Sequence, residues 1–206
     1  MNRIGIIDVG IGNLGSLCGA LYELGADIDI VTTQEAVLTS EALILPGVGS
    51  FTHGMRAIES AGLSDAIRRH VVDGRPLLGI CLGMQLLFSY GDEGGGHAGL
   101  SLISGTVRRL PESPNFPVPH VGWNEVAVRD AHPLWQGIKP GVDFYFVHSY
   151  HIECDTRYVF GETEYGDTFP SAVAFANVFG VQFHPEKSQR NGLRFLENFC
   201  HWDGKC

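Results

Sequence analysis

Up to Gly91, short continuous apolar runs alternate with longer stretches whose apolar residues recur three and four positions apart. Ile4–Asp8, Asp27–Val31 and Ala42–Leu45 are runs of the first kind, and Pro76-Leu77-Leu78-Gly79-Ile80 is a fourth. Their length predicts short strands, and the apolar ones suit a parallel sheet covered on both faces. Between them Leu14, Leu17, Cys18, Leu21 and Leu24 share one helical face, which Gly25 ends. Gly62 splits a further helical stretch whose second part carries Leu63, Ala66, Ile67 and Val71 on one side. Alternating strands and helices predict a doubly wound parallel sheet.

Beyond Gly91 the pattern is one of strands: Thr106–Leu110, Glu125–Val128, Asp143–Tyr150, Tyr158–Glu164, Ala172–Phe175 and Val178–His184, with a turn at Gly166-Asp167. Gly91–Gly99 is glycine-rich and predicts an exposed, mobile loop. A last helix runs from about Arg190 to Cys200 with Leu193, Leu196 and Phe199 or Cys200 inward. No linker, repeat or low-complexity segment interrupts the pattern. The prediction is one α/β domain over residues 1–206. Its sheet is open and mainly parallel, flanked by helices, with extra antiparallel strands in the second half.

Composition narrows the function. The 206 residues carry a net charge of −9, which argues against a nucleic-acid surface. The five cysteines (Cys18, Cys81, Cys154, Cys200 and Cys206) are odd in number, irregularly spaced and without a CxxC, so neither a disulfide framework nor a metal site is suggested. The N-terminus reads as a strand rather than a signal peptide, and no apolar run approaches the roughly 18 residues of a membrane span. A cytoplasmic protein with reduced thiols is expected.

Candidate chemistry centres on Pro76–Leu87. An apolar strand runs into a turn at Cys81 and straight out into a helix, with Gly79 and Gly83 two positions to either side. This is the spacing of a nucleophile elbow, with cysteine in place of serine. Small neighbours let strand and helix approach, and a helix N-terminus at the turn favours negative charge on the thiol. Taken alone, Cys81 also fits a buried structural thiol. Gly10, Gly12 and Gly15 spell G-x-G-x-x-G after the first strand, but strand two ends at Val31-Thr32-Thr33 without the carboxylate a dinucleotide site wants, so no such cofactor is expected.

His184-Pro185-Glu186 offers what a cysteine nucleophile needs. Pro185 ends the strand, and Glu186 sits where it can accept the imidazole N–H of His184 and fix its tautomer. That would give nucleophile, base and orienter in the order Cys81, His184, Glu186. Eight other histidines compete, His120, His148 and His151 among them in strand-rich segments. Only His184 has a carboxylate fixed two positions away. Acyl transfer also needs an oxyanion hole. The Leu82 N–H is one candidate donor, and Pro46-Gly47-Val48-Gly49, whose glycines allow a peptide to point inward or flip, is another.

Gly79-Ile80-Cys81-Leu82-Gly83-Met84-Gln85 with His184-Pro185-Glu186 resembles the class I (triad) glutamine amidotransferases, and Pro46–Gly49 matches their oxyanion segment. Gly12-Asn13-Leu14, Pro119-His120-Val121-Gly122-Trp123-Asn124, Tyr145-Phe146-Val147-His148-Ser149-Tyr150 and His184-Pro185-Glu186-Lys187-Ser188-Gln189 narrow the resemblance. They are similar to the glutaminase subunits of imidazole glycerol phosphate synthase. The likeness spans essentially the whole chain. Val121 departs from it, standing where methionine is expected.

The resemblance implies that Cys81 attacks the carboxamide of glutamine, that His184 protonates the departing ammonia and that His184, oriented by Glu186, then serves as base in thioester hydrolysis. Gly49 and Leu82 would supply oxyanion contacts. Gln85, Ser149 and Tyr150 would hold the α-amino and α-carboxylate groups. Asn13, Trp123 and Lys187 would face a partner, a (β/α)8-barrel cyclase forming a heterodimer with this chain. The cyclase would use the channelled ammonia to make imidazole glycerol phosphate and aminoimidazole carboxamide ribotide in histidine biosynthesis. No cofactor, metal, nucleic acid or membrane enters. Other readings remain: a paralogue feeding a different barrel-type synthase, for example in surface-sugar biosynthesis, a non-catalytic scaffold, or a stand-alone cysteine hydrolase. The glycine-rich switch predicts weak activity until a liganded partner binds.

Overall fold

The structure, a computed structural model, describes residues 1–205. Cys206, for which the sequence suggests no role, lies outside the described residues. In chain order the elements are β1 (Ile4–Ile7), α1 (Leu14–Glu23), β2 (Ile28–Val31), α2 (Gln34–Thr39), β3 (Ala42–Gly47), α3 (Phe51–Ser60), α4 (Ser64–Val72), β4 (Leu77–Cys81), α5 (Leu82–Leu86), β5 (Phe88–Gly91), β6 (His97–Ala98), β7 (Ile103–Arg109), β8 (His120–Val128), β9 (Val142–His148), β10 (Tyr150–Cys154), β11 (Val159–Tyr165), β12 (Asp167–Phe175), β13 (Val178–Val181) and α6 (Gln189–His201).

Strand alternation builds two cores from one sheet. Ile4, Ile6, Ile44, Leu78 and Ile80 point to one face, where α1 and α6 bring Leu17, Leu21, Phe195 and Phe199. Ile7, Leu43, Leu45 and Leu77 point to the other, covered by Phe51, Met55, Ile58 and Ile67 of α3 and α4. The sheet order is β2-β1-β3-β4-β13-β12-β11-β8-β9. Pairing is parallel from β2 to β13 and antiparallel from β13 to β9. The α/β prediction therefore holds, and the antiparallel strands extend the parallel sheet itself. A smaller sheet, β10-β7-β5-β6, packs beside it.

Several boundaries differ from the sequence reading. The predicted strand Asp143–Tyr150 is two strands: β9 ends at His148 and β10 starts at Tyr150 in the smaller sheet, so the chain changes sheets at Ser149. Polar residues did not mark that switch because both strands carry alternating apolar positions. The helix after Cys81 spans five residues, and Phe88 already begins β5. Val178–His184 keeps its ladder only to Val181. Gly91–Gly99 is tied down: Glu93 Oε2 accepts the Phe51 N–H at 2.7 Å, and the Thr52 hydroxyl donates to the Glu93 carbonyl at 2.8 Å. Gly166, at φ +75°, turns the β11–β12 hairpin as expected. No helix among the described residues is long and apolar enough to cross a membrane.

Candidate active site

β4 lies between β3 and β13, and all three strands aim their carboxyl ends at one place. Cys81 closes β4 with φ +53° and ψ −112°, a backbone region that side chains rarely occupy. What holds it there is the close pass of α5 over the sheet. A Cβ on Gly79 would come within 2.8 Å of the Gly83 backbone, and one on Gly83 would strike the Leu45 carbonyl. Both glycines flanking Cys81 are therefore required by packing, as the elbow spacing predicted. The five-residue α5 sums few peptide dipoles, so its support for a thiolate comes from first-turn N–H groups rather than a long macrodipole.

β13 delivers the second group. Val181 pairs with Ile80, which puts Gln182 level with Cys81, and the chain carries His184 two residues further on, past the end of the ladder. The segment is anchored to β9. The His184 N–H donates to the Tyr145 carbonyl at 2.8 Å, the Tyr145 N–H to Ser188 Oγ at 3.0 Å, and the Ser188 hydroxyl to the His184 carbonyl at 2.6 Å. His184 Nδ1 then meets Glu186 Oε1 at 2.8 Å, with both side chains almost fully enclosed. His184 Nε2 is buried without a hydrogen bond of ordinary geometry, leaving it free on the Cys81 side. Burial alone lowers the proton affinity of the imidazole, but Cys81 and Glu186 outweigh it and raise His184 well above its ordinary value. The three predicted triad residues thus meet in one place.

The thiol opens on a cleft of about 290 Å3 lined by Val48, Gly49, Leu82, Gln85, Glu93, Pro119, Val147, His148, Ser149 and Tyr150. The residues predicted to contact substrate or oxyanion, Gly49, Leu82, Gln85, Ser149 and Tyr150, all line it. Gly47 leaves room for the start of α5, since a Cβ there would lie 3.0 Å from that of Leu82. Val48 and Gly49 are thereby held at the mouth. Gly49 has φ +101°. The Val48 N–H donates to the Ile11 carbonyl of the glycine-rich loop at 2.6 Å.

Gln85 also lines the cleft, but both its amide N–H bonds are engaged, with the Tyr150 carbonyl at 3.0 Å and Gln182 Oε1 at 2.9 Å. Only its oxygen is available to a ligand. Two residues of the site escaped the sequence reading. Glu93 supplies the one carboxylate of the cleft lining, yet it sits in a glycine-rich stretch that read as loop. Gln182 places Nε2 at 3.7 Å from Cys81 Sγ. Its signal was a polar residue in an otherwise apolar strand.

The residues predicted to face a partner surround the triad from outside. Exposed Asn13 borders a narrow crevice with Pro46, Gly47, Val48, His184 and Glu186. Trp123 is 47% exposed and stands edge-on to Tyr145, with ring centres 6.0 Å apart. Lys187 Nζ lies 5.9 Å from the same tyrosine ring. In the Gly10–Gly15 loop the Gly10 N–H is bound by Asp8 Oδ1 at 2.9 Å. Among the described residues no group of three or more His, Cys, Asp or Glu could hold a metal ion.

Residues 5–202 match the family model for glutamine amidotransferase class-I. The chain is 48% identical over 200 residues to imidazole glycerol phosphate synthase subunit HisH of Moorella thermoacetica, covering 97% of this chain and 94% of the relative. The HisH subunit of Caldanaerobacter subterraneus subsp. tengcongensis is 45% identical, covering 95% and 96%. Among solved structures, PurLQS from Thermotoga maritima aligns with a TM-score of 0.75 at 19% identity, over 98% of this chain and 99% of that one. A likeness at that identity speaks to the fold.

Proposed function

The chain belongs to the glutamine amidotransferase class-I family and, within it, to the HisH subunits of imidazole glycerol phosphate synthase, and we propose that it hydrolyses glutamine to glutamate and ammonia for that synthase. The observation that carries the chemistry is the elbow thiol of Cys81 facing a buried His184 whose other nitrogen is held by Glu186 at 2.8 Å. His184 takes the thiol proton, and the sulfur attacks the side-chain carboxamide carbon of glutamine. As the C–N bond breaks, His184 returns that proton to the departing ammonia, leaving a glutamyl thioester. Water then gives a proton to His184 and attacks the thioester. The C–S bond breaks, glutamate leaves and the proton returns to sulfur. Glu186 holds the imidazole tautomer and stabilises the imidazolium in both halves. Leu82 and Gly49 serve the oxyanion.

The cleft suits the free amino-acid end of glutamine. Glu93 pairs with the α-ammonium, since it is the carboxylate of the cleft wall. Gln85, with its N–H groups engaged, contributes an acceptor to the same ammonium rather than a donor to the α-carboxylate. Ser149 and Tyr150 take the carboxylate end.

Ammonia passes to the cyclase subunit of the synthase, a (β/α)8 barrel in this reading. It docks over Asn13, Trp123 and Lys187 and forms a heterodimer. Residues 1–206 act as one amidotransferase domain. The described cysteines are unpaired, consistent with a reducing cytoplasm. Similarity to HisH subunits across nearly the whole chain favours this partner over that of a paralogous synthase.

Ammonia release from glutamine tests the proposal, measured for the chain alone and then with the cyclase subunit and its nucleotide ligand, with Cys81→Ala as control. Stimulated release that vanishes in the variant is expected. Release that ignores the cyclase would reject the partner, and release that survives Cys81→Ala would reject the site.

A further inference from the structure

Gln182 is fully buried beside the triad, and the triad leaves it unexplained. Its backbone N–H is fixed to the Ser171 carbonyl at 2.9 Å, and its side-chain nitrogen stands 3.7 Å from Cys81 Sγ. Which end of the amide faces the sulfur is set by atoms that have no choice. The Tyr150 carbonyl can only accept, so Gln85 must present its nitrogen there. The other N–H of that nitrogen points to Gln182, which must answer with its oxygen. The Gln182 N–H groups are then left to the sulfur.

The far side of the Tyr150 carbonyl is equally determined. It accepts from His148 Nδ1 at 2.8 Å, so a neutral His148 offers Nε2 as acceptor. His120 Nδ1, 2.9 Å away, must donate to it, and His120 Nε2 faces the Asn124 amide nitrogen at 3.3 Å. Burial pushes His120 down to about 4; burial first, and then neighbouring histidines, push His148 down to about 3. Both rings stay neutral near pH 7 and the donor–acceptor order is preserved.

We propose that Gln182 is a further catalytic residue whose amide N–H stabilises negative charge on the Cys81 sulfur, with Gln85, the Tyr150 carbonyl and the His148–His120 pair as positioning groups that hold it in the donating orientation. The inference rests on the reading of Cys81 as nucleophile. Charge sits on the sulfur before attack and again when the thioester collapses. A hydrogen bond to a charged acceptor is stronger than one to a neutral one, so the contact favours those states over the resting thiol. The Val147 carbonyl, 3.8 Å from the sulfur, can only accept and gives a thiolate nothing. The ionisable groups around the sulfur are His184 with Glu186 behind it, and His148, Glu93 and Tyr150 in the cleft wall.

The test is alkylation of Cys81 by iodoacetamide, followed on the Cys81 peptide by mass spectrometry between about pH 5 and pH 10, a range that brackets thiol titration. It needs neither glutamine nor a partner. Gln182→Met keeps the length and removes the donor, so alkylation near pH 7 is expected to slow at least about threefold and its midpoint to move to higher pH. Gln182→Glu should move the midpoint further, because it adds a like charge. In the holoenzyme kcat should fall as the midpoint rises, while KM holds. If either variant melts early, Gln85→Leu frees the Gln182 amide in place and should move the midpoint partway. Midpoints that coincide with the parent overturn the inference whatever the ammonia assay gives. A shifted midpoint without any ammonia release overturns the glutaminase reading alone.

Discussion

The Val48 N–H donates to the Ile11 carbonyl at 2.6 Å, joining the loop at the mouth of the cleft to the glycine-rich loop after β1. That N–H is spent and cannot at the same time join the contacts of Gly49 and Leu82 to an oxyanion beside Cys81. Ile11 precedes Asn13, which we place against the partner, so a docked subunit acts next to this bond. We expect the isolated chain to release ammonia slowly, and the rate to rise about a hundredfold or more when the cyclase binds its ligand, as a single added oxyanion donor would warrant. Equal turnover with and without the liganded partner would refute the switch.

Glu186 is enclosed with His184, and its other oxygen has no partner. Its work is therefore concentrated on one imidazole nitrogen. Replacing it by glutamine keeps the shape and removes the charge that steadies an imidazolium. Glu186→Gln should lower kcat by about a hundredfold or more while the variant, though less stable, remains folded. Steady-state ammonia release beside a thermal melt checks it, and a kcat within a fewfold of the parent would remove Glu186 from the triad.

How much of this was legible in the sequence depended on the range of the interaction. The elbow was legible because Gly79, Cys81 and Gly83 are neighbours in the chain, and the close pass of Gly79 against Gly83 and Met84 follows from their spacing, whereas the contact of Gly83 with Leu45 appears only in the fold. His184 and Glu186 were legible for the same reason. α2 was missed because six residues show too little of a helical period, although Thr33 caps it by accepting the Ala36 N–H at 3.2 Å. β12 was read from Ala172 and starts at Asp167, since Pro170 inside a run argues against a strand. Glu93, Gln182 and the His120–His148 pair were illegible in kind. Each is defined by a contact with a residue far along the chain, and beyond the polarity of Gln182 in an apolar strand nothing local marks them.

Glu93 bridges two tasks, capping α3 through the Phe51 N–H and lining the glutamine cleft. Glutamine in place of Glu93 can still accept from Phe51, but it no longer offers charge to an ammonium. Glu93→Gln should raise KM for glutamine about tenfold or more with a smaller change in kcat, and the fold should lose no more than about 1 kcal/mol. An unchanged KM would place the α-ammonium elsewhere.

Gly83 tests the packing that forces the elbow. A methyl group there meets the Leu45 carbonyl, which β3 holds in the sheet. Neither side can retreat, so Gly83→Ala should destabilise the fold by about 3 kcal/mol or more, visible in denaturant melts. A variant of parental stability would mean that α5 can lift from the sheet, and Cys81 would then not need its strained backbone.

Acid should unfold this protein through its histidines. Burial lowers His70, His120 and His132 to about 4, and burial with neighbouring histidines lowers His148 to about 3. In the unfolded chain each takes a proton near pH 6.5. Below that value the unfolded state binds more protons than the folded one, so stability falls with pH until the folded values are reached. Shifts of this size are worth on the order of a few kcal/mol per group, and a fold holds only about 5–15 in total. Unfolding is therefore expected between pH 6.5 and about 4. His184 acts in the opposite sense: its raised proton affinity stabilises the fold fully below pH 6.5, and that contribution is lost only as pH climbs through its raised value. Denaturant midpoints measured from pH 8 down to pH 4 should decline steadily below pH 6.5. A flat profile across that window would mean that the four rings are open to solvent, and the fixed tautomers of His120 and His148 would go with them.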